Sequence, residues 1–412
     1  MLQHENSVVG VITQAQEYMQ ENEIDGWLIY DYKGMNPIFS DTVGYISNIT
    51  RPCWLWIPAN SDPKLIVSFV DQNRFEHLGI GTEFWVSREQ MINSLKSHLP
   101  HQGKVAMEYS PMGVLPRVTK IDGGTLELVK SLDVEVVTSA NLIQYATQRW
   151  SETELNSHLK ASAILTSTVK EAFNFVGENI GSGITEFELA EFIRAVFTEQ
   201  NLETPDGPVV GINGHAADPH FEPTASNSVT MRKGDWLLID LWGSIEDEPS
   251  VCVDITWTVF IGDKVPNKHL EVFNTVIGSR DAAVSLLEKA HAEGKLLQGW
   301  EVDTEARNYL DKMGYGKYFS HRLGHSLGKE AHGNAVNLDG WETYDTRTVS
   351  PKIGFTIEPG IYIPGEFGVR SEIDLFYYET GPAVTTETQT APFLITVYVD
   401  GPCCDFNPLV VG

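Results

Sequence analysis

Two kinds of hydrophobic periodicity divide the chain. In VITQAQEYMQEN the apolar side chains recur three and four positions apart, the spacing of one face of an amphipathic helix. The run GWLIYD that follows is continuously apolar and too short for a helix, so it reads as a buried strand. CWLWIP and KLIVSF read as further strands, REQMINSLKSHL as a helix, KVAMEY as a strand, TLELVKSL as a helix and DVEVVTS as a strand. This alternation through the first ~145 residues predicts an α/β domain.

The pattern then changes. Ser151 and Glu154 have the S-x-x-E spacing of a capping box, which predicts a long helix starting there. Thr185 and Glu188 repeat the device ahead of FELAEFIRAVFTEQ. NKHLEVFNTVIGSRDAAVSLLEKAH and DTEARNYLDKMG predict two more helices, with Gly- and Pro-punctuated strand candidates between and after them. Helices segregated from a mostly antiparallel sheet make this second part α+β. A chain of 412 residues exceeds one ordinary core. Two domains are expected, over 1–148 and 149–412, with no tandem repeat or low-complexity tract.

Composition narrows the function classes. Hydrophobic residues make up 42% and charged residues 21%, the balance of a soluble globular protein. A formal charge of −27 repels phosphate backbones and anionic lipid, which argues against nucleic acid and membrane as partners. No apolar run reaches the ~18 residues of a membrane span. The start, MLQHENSVVG, has no basic region followed by an apolar core. The four cysteines form no C-x-x-C pair, and Cys403 and Cys404 are adjacent, so a reducing cytoplasm is the expected compartment.

Four acidic residues stand out because they interrupt apolar strands. Asp240 is at the centre of WLLIDLW and Asp254 is inside VCVDITWTVF, with the turn-like SIEDEPS between them. Their midpoint is residue 247, so an antiparallel hairpin would set the two aspartates opposite one another. Glu358 in GFTIEPGIYI and Glu372 in VRSEIDLFYY are related in the same way about Gly365. An ionised carboxylate buried in an apolar strand costs several kcal/mol unless it is paired. Arg370 alone cannot neutralise four such charges, whereas two divalent cations can.

The stretch HRLGHSLGKEAHG, residues 321–333, holds three of the chain's twelve histidines. Its GHSLG fits the G-x-S-x-G serine pattern, but KYFSHRLG before it is not a buried strand. No aspartate and a single histidine follow Ser326 within the stretch, so the serine reading fails. His325, flanked by Gly324 and Gly328, is instead placed to offer an imidazole beside the carboxylates. One imidazole with four carboxylates suits Mn²⁺, Co²⁺ or Zn²⁺.

With LLIDLWG…VDITWTVF, SHRLGHSLGKEAHG, FTIEPGIY and VRSEID in this order, the chain resembles the pita-bread metallopeptidases of family M24. It resembles most the branch of prolidase, aminopeptidase P and creatinase, over essentially its whole length. The resemblance implies a creatinase/prolidase-like N-terminal α/β domain and a catalytic pita-bread domain with a mostly antiparallel curved sheet. It implies two divalent ions, manganese first, with cobalt or zinc as alternatives. Asp240 would bind one ion, Asp254 and Glu372 would bridge the pair, and His325 and Glu358 would complete the other. His220 and His332 match positions that contact substrate, and Glu358 also matches a proton shuttle. Arg370 is expected to orient Glu372, the alternative being a hold on a substrate carboxylate. The implied reaction is hydrolysis of the bond before proline in short peptides, by a cytoplasmic homodimer.

Two departures bear on substrate preference more than on metal binding. Trp257 stands where the family pattern has arginine, and Gly333 follows His332 where an acidic residue is common. The hairpin loop is also a few residues long, and the spacing from His220 to Asp240 is stretched. The competing functions are a creatinase-like C–N hydrolase of a small amidine, which works without the metals, and a catalytically silent peptide-binding relative. All five ligand positions being filled argues against both.

Overall fold

The computed structural model describes residues 7–246, 249–396 and 406–408. Cys403, Cys404 and the start of the chain through residue 6 lie outside the described residues, as does Asp247. Contacts divide the chain into two compact units, Met1–Ser151 and Glu152–Gly412.

The first unit runs α1 (Val8–Glu21), β1 (Gly26–Asp31), α2 (Pro37–Val43), β2 (Cys53–Pro58), β3 (Lys64–Ser68), β4 (Gly81–Trp85), α3 (Arg88–His98), β5 (Lys104–Met107), α4 (Gly123–Lys130), β6 (Glu135–Thr138) and α5 (Ala140–Thr147). Its sheet has the order β4-β3-β2-β1-β5-β6. β1 and β2, and β2 and β3, pair antiparallel, while the other neighbours run parallel. Alternation along the central strands sends Trp27, Ile29 and Leu55 into one core with α1, α2 and α5. Leu28, Trp54 and Trp56 enter a second core with α3 and α4. The pattern-based reading misses α2, β4 and α5. α2 is only seven residues, and its signal is local: the Asn36 side chain accepts from Ile38 N–H, and Pro37 opens the helix.

The second unit begins with α6 (Glu152–Asn179) and α7 (Glu186–Glu199), the latter started by the expected reciprocal bonds of Thr185 and Glu188. Then follow β7 (Leu202–Glu203), β8 (Val209–Ile212), β9 (Trp236–Ile245), β10 (Val253–Ile261), α8 (Asn267–Ala292) and α9 (Gly299–Lys312). The last part holds β11 (Gly354–Ile357), β12 (Gly360–Ile363), β13 (Phe367–Arg370), β14 (Ile373–Tyr378), β15 (Gly381–Val384), β16 (Phe393–Ile395) and β17 (Phe406–Pro408). One sheet has the order β17-β16-β10-β9-β7, with β8 also on β9; a second is β11-β14-β15, and β12 pairs with β13. The first of these is mixed, because β16 runs parallel to β10, where a mostly antiparallel sheet is expected from the sequence.

Parity along β9 and β10 decides what faces the site. Odd-numbered Leu237, Ile239, Leu241, Val253, Ile255, Trp257 and Val259 enter the core under α6 and α7. Even-numbered Asp240, Asp254 and Thr256 occupy the opposite face. The expected register is off by two residues: Asp240 lies across from Thr256, and Asp254 across from Trp242. The outer end of β9 explains this. Ser244 and Ile245 pair with β7, and Cys252 N–H bonds to Gly328 O at 2.8 Å, so the two ends of the connection are held by other elements rather than by each other. Because the shift is even, both aspartates keep the same face as diagonal neighbours.

The second hairpin keeps the expected midpoint. Ile357 pairs with Ile373 in β11–β14, and Gly360 with Arg370 in β12–β13, so the two ladders share one register about residue 365. Glu358 and Glu372 fall at the gap between the ladders rather than inside strands. There the backbone is diverted: Glu372 N–H bonds to Thr256 O at 3.3 Å and Glu358 N–H to Leu323 O at 2.8 Å. The gap therefore splices this hairpin to β10 on one side and to the histidine-bearing loop on the other.

Candidate metal centre

The histidine loop reaches the carboxylates as an added extended segment along β11. Leu327 N–H bonds to Gly354 O at 2.9 Å, and Thr356 N–H to His325 O at 2.8 Å. A Cβ at position 324 would stand 2.1 Å from Thr356 O, so only glycine permits this approach. Thr356 Oγ1 accepts from His325 N–H at 3.1 Å, fixing the base of the imidazole. Ser326 is fully buried, and its Oγ accepts from Ala335 N–H, a structural bond that leaves no exposed nucleophile.

Asp240, Asp254, His325, Glu358, Glu372 and Arg370 are all buried. Ligand atoms of Asp254, His325 and Glu372 lie within 4.8 Å of one another. His325 Nε2 is 3.5 Å from Glu358 Oε1 and 3.7 Å from Asp254 Oδ2. Arg370 Nη2 bonds to Asp240 Oδ2, and Arg370 Nε donates to Thr256 Oγ1 at 2.8 Å. Thr256 Oγ1 in turn donates to Glu372 Oε2 at 2.7 Å. Arg370 therefore braces Asp240 directly and Glu372 through a threonine, while its Nε remains 3.9 Å from Glu372 Oε2.

His332 sits beside this cluster, its ring edge-on to His325 with centroids 4.3 Å apart. His220 is elsewhere in character: it lies on an exposed loop, its N–H on Asp218 Oδ1 at 3.1 Å. Several participants escape a sequence reading. Thr256, directly opposite Asp240, is one. Asp374, fully buried, is another; its Oδ2 accepts from Asp254 N–H at 2.9 Å. Both lie two residues beyond a candidate ligand, so strand parity is the signal that finds them. Tyr362 is a third. Burial and the Arg370 charge push the His321 imidazole down to about 3, so it is neutral. Its Nδ1 faces Arg322 O at 2.7 Å and must donate there, leaving Nε2 to accept from the Tyr362 hydroxyl at 2.8 Å. His321 thus orders the loop.

Electrostatically the cluster is uncompensated. Burial, then the charges of Glu372, Asp240, Asp374 and Glu358, hold the Asp254 carboxyl well above the usual range. Burial and the neighbouring Glu358 and Asp240 do the same to Glu372, against the opposing pull of Arg370. Burial pushes Glu358 up to about 7 although Arg370 and Arg322 both favour its ionised form. His325 is driven well down by burial and then by the charge of His332, so it is a neutral donor of a lone pair. Asp240 Oδ1, Asp254 Oδ1 and Glu372 Oε1 are buried without a hydrogen-bond partner among the described residues. Buried carboxylate oxygens are seldom left so. Three orphaned oxygens beside a neutral imidazole fit divalent cations, which need deprotonated O and N ligands.

The Trp257 and Gly333 departures have local explanations. Trp257 is buried on the odd face and stacks on Phe393 with centroids 5.1 Å apart, away from the carboxylates. The ring therefore packs under α6. At position 333 a Cβ would stand 3.0 Å from Leu327 C, so the close turn behind His325 disfavours any side chain.

The model of metallopeptidase family M24 matches residues 157–378, more than half of the chain. The chain belongs to metallopeptidase family M24. Its family and its peptidase-named relatives make it a metallopeptidase. A protein named an uncharacterized peptidase of Schizosaccharomyces pombe is 27% identical over 374 residues, covering 87% of this chain and 73% of that one. Dipeptidase PepE from Mycobacterium ulcerans superposes with a TM-score of 0.70 at 21% identity, over 95% of this chain and 98% of that one. The Xaa-Pro dipeptidase from Bacillus anthracis does so with a TM-score of 0.63 at 20% identity, over 94% and 100% of the two chains. The fold is thus the pita-bread fold of the M24 family. Among the described residues no helix is long and apolar enough to cross a membrane.

Proposed function

We propose that this M24 peptidase hydrolyses the peptide bond preceding proline in short peptides, using two divalent metal ions. The observation that carries the metal part is the set of orphaned buried oxygens on Asp240, Asp254 and Glu372 beside His325. The likeness to dipeptidases, one of them an Xaa-Pro dipeptidase, supports the substrate class. Asp240, Asp254, His325, Glu358 and Glu372 would hold the ions, and manganese suits this oxygen-rich set with cobalt or zinc as alternatives. When bound, such a pair supplies a water activated near neutral pH and polarises the scissile carbonyl.

The chain's own residues do the rest. Arg370 and Thr256 fix the free rotations of Asp240 and Glu372, so the ligands are set before a cation arrives. Glu358, whose Oε1 lies 3.5 Å from His325 Nε2 at the edge of the cluster, would take a proton and return it to the leaving nitrogen. His332 and His220 donate hydrogen bonds where negative charge develops on the carbonyl oxygen. The N-terminal unit is a creatinase/prolidase-type domain, and the working form is a cytoplasmic homodimer.

Metal analysis of the purified protein, followed by assays on Xaa-Pro peptides of two and of three or more residues, tests the reading. Turnover with two bound ions is expected, and the two lengths separate a dipeptidase from an aminopeptidase. Asp254→Asn removes one of the carboxylates that would hold the ions and is expected to abolish turnover while the thermal transition is retained. Full activity in that variant would end the assignment.

A further inference from the structure

We infer that His215, clamped by the buried carboxylate of Glu186, is a positioning residue that sets His220 for its substrate. The inference rests on the role proposed above for His220.

Glu186 is the first residue of α7 and is fully buried. A carboxylate can be held in such a place only if its oxygens are satisfied. Ile212 N–H donates to Oε1 at 2.8 Å and Val229 N–H to Oε2 at 3.0 Å. His215 Nδ1 lies 2.9 Å from both oxygens, and because a carboxylate only accepts, Nδ1–H donates. One carboxylate thus ties together the start of α7, the end of β8, the strand-like segment at 229 and the loop that follows β8.

That loop carries His220. The faces of His215 and Phe221 stack, with centroids 4.2 Å apart and 22° between the rings. His220 is the neighbour of Phe221, and its own N–H is held by Asp218, whose N–H bonds to His215 O at 3.0 Å. Both sides of His220 therefore lead back to His215. The loop also lies directly on the hairpin that ends in Arg370. A Cβ at position 368 would stand 1.8 Å from Ala216 O, so Gly368 lets the loop backbone touch β13. Trp236 Nε1 donates to Gly368 O at 2.9 Å, which fixes that contact from below. The loop is held on one side to α7 by a charge-assisted bond and on the other to the strand leading into Arg370 and Glu372. An imidazole that must meet substrate at a fixed point needs such a frame, because a misplacement of about 1 Å is enough to lose most of its effect.

The test is a double-mutant cycle on the metal-loaded full chain, with hydrogen exchange as a second readout. His215→Ala is expected to lower kcat/KM on an Xaa-Pro dipeptide by about 10- to 100-fold, the range of one charge-assisted hydrogen bond. Metal content should match the parent although the thermal midpoint falls, because buried Glu186 loses a donor, and His215→Gln, which can still donate to Glu186, should recover most of both losses. In a His220→Ala background the same change should have no further effect, since His215 acts through His220. Exchange of the amides in residues 213–222 should quicken by a similar factor in His215→Ala. Equal losses with and without His220 would overturn the inference, as would an unchanged exchange rate. Should the parent protein turn over no Xaa-Pro peptide, the proposed reaction falls, and the exchange comparison alone decides the clamp.

Discussion

Replacing Thr256 by valine removes one hydroxyl from the cluster and almost no volume. That hydroxyl accepts from Arg370 Nε at 2.8 Å and donates to Glu372 Oε2 at 2.7 Å. Both partners are charged or chargeable and fully enclosed, so neither finds water in exchange. Glu372 then keeps an orphaned Oε1 and gains a second unbonded oxygen. It must be ionised to hold a cation, yet burial already pushes its carboxyl well up. Loss of a bond that orients a metal ligand weakens metal binding by about 10- to 100-fold, or ~1.4–2.8 kcal/mol. Calorimetric titration of manganese into chelated parent and Thr256→Val proteins measures this directly. Valine fits the same β-branched position in β10, and the stability lost by leaving Arg370 Nε and Glu372 Oε2 unbonded is read separately from the thermal midpoint of the chelated proteins. Indistinguishable dissociation constants would refute the claim that Thr256 presets Glu372.

Two further outcomes follow from groups outside the cluster. Glu108 in the N-terminal unit is fully buried, accepting from Trp27 Nε1 at 2.7 Å and Asn36 Nδ2 at 3.3 Å. Burial raises its carboxyl from 4.5 to about 7. The folded form thus keeps a proton that the unfolded chain releases near pH 4.5, so stability present below that pH is lost as pH rises toward 7, by roughly 3 kcal/mol. Glu108→Gln lacks this dependence, and the gap in denaturant midpoint between variant and parent should shift in the variant's favour between pH 4.5 and 8; a constant gap would contradict it. Trp257→Phe should lower stability by about 1–3 kcal/mol while leaving relative kcat/KM across Xaa-Pro peptides unchanged, since the ring faces α6. A reordered substrate preference would place Trp257 at the site after all.

How much of this is legible in the sequence depends on the range of the interaction. Local signals work well: Thr185 and Glu188 start α7, and the apolar runs GWLIYD and CWLWIP become central strands. The carboxylates are conspicuous because each is a polar residue in an apolar run. The Gly365 midpoint holds because a tight turn fixes that hairpin's register. The 240–254 register slips by two residues where β7 captures the outer end of β9 and the Gly328 carbonyl captures Cys252 ahead of β10, both remote in sequence. Trp257 stands out in motif comparison, and its odd number beside even Asp254 and Thr256 puts its ring on the other face of the sheet. Glu186 and His215 are invisible beforehand, since nothing local says that the start of a helix will meet a loop 29 residues on.

The central claim is that the carboxylates converge on a pair of cations, and anomalous diffraction from crystals grown with manganese tests it most directly. Two manganese peaks are expected, enclosed by Asp240, Asp254, Glu358 and Glu372 with His325 Nε2 on one of them. A crystal saturated with manganese in which these oxygens meet only Arg370 and water, with no peak among them, would contradict it.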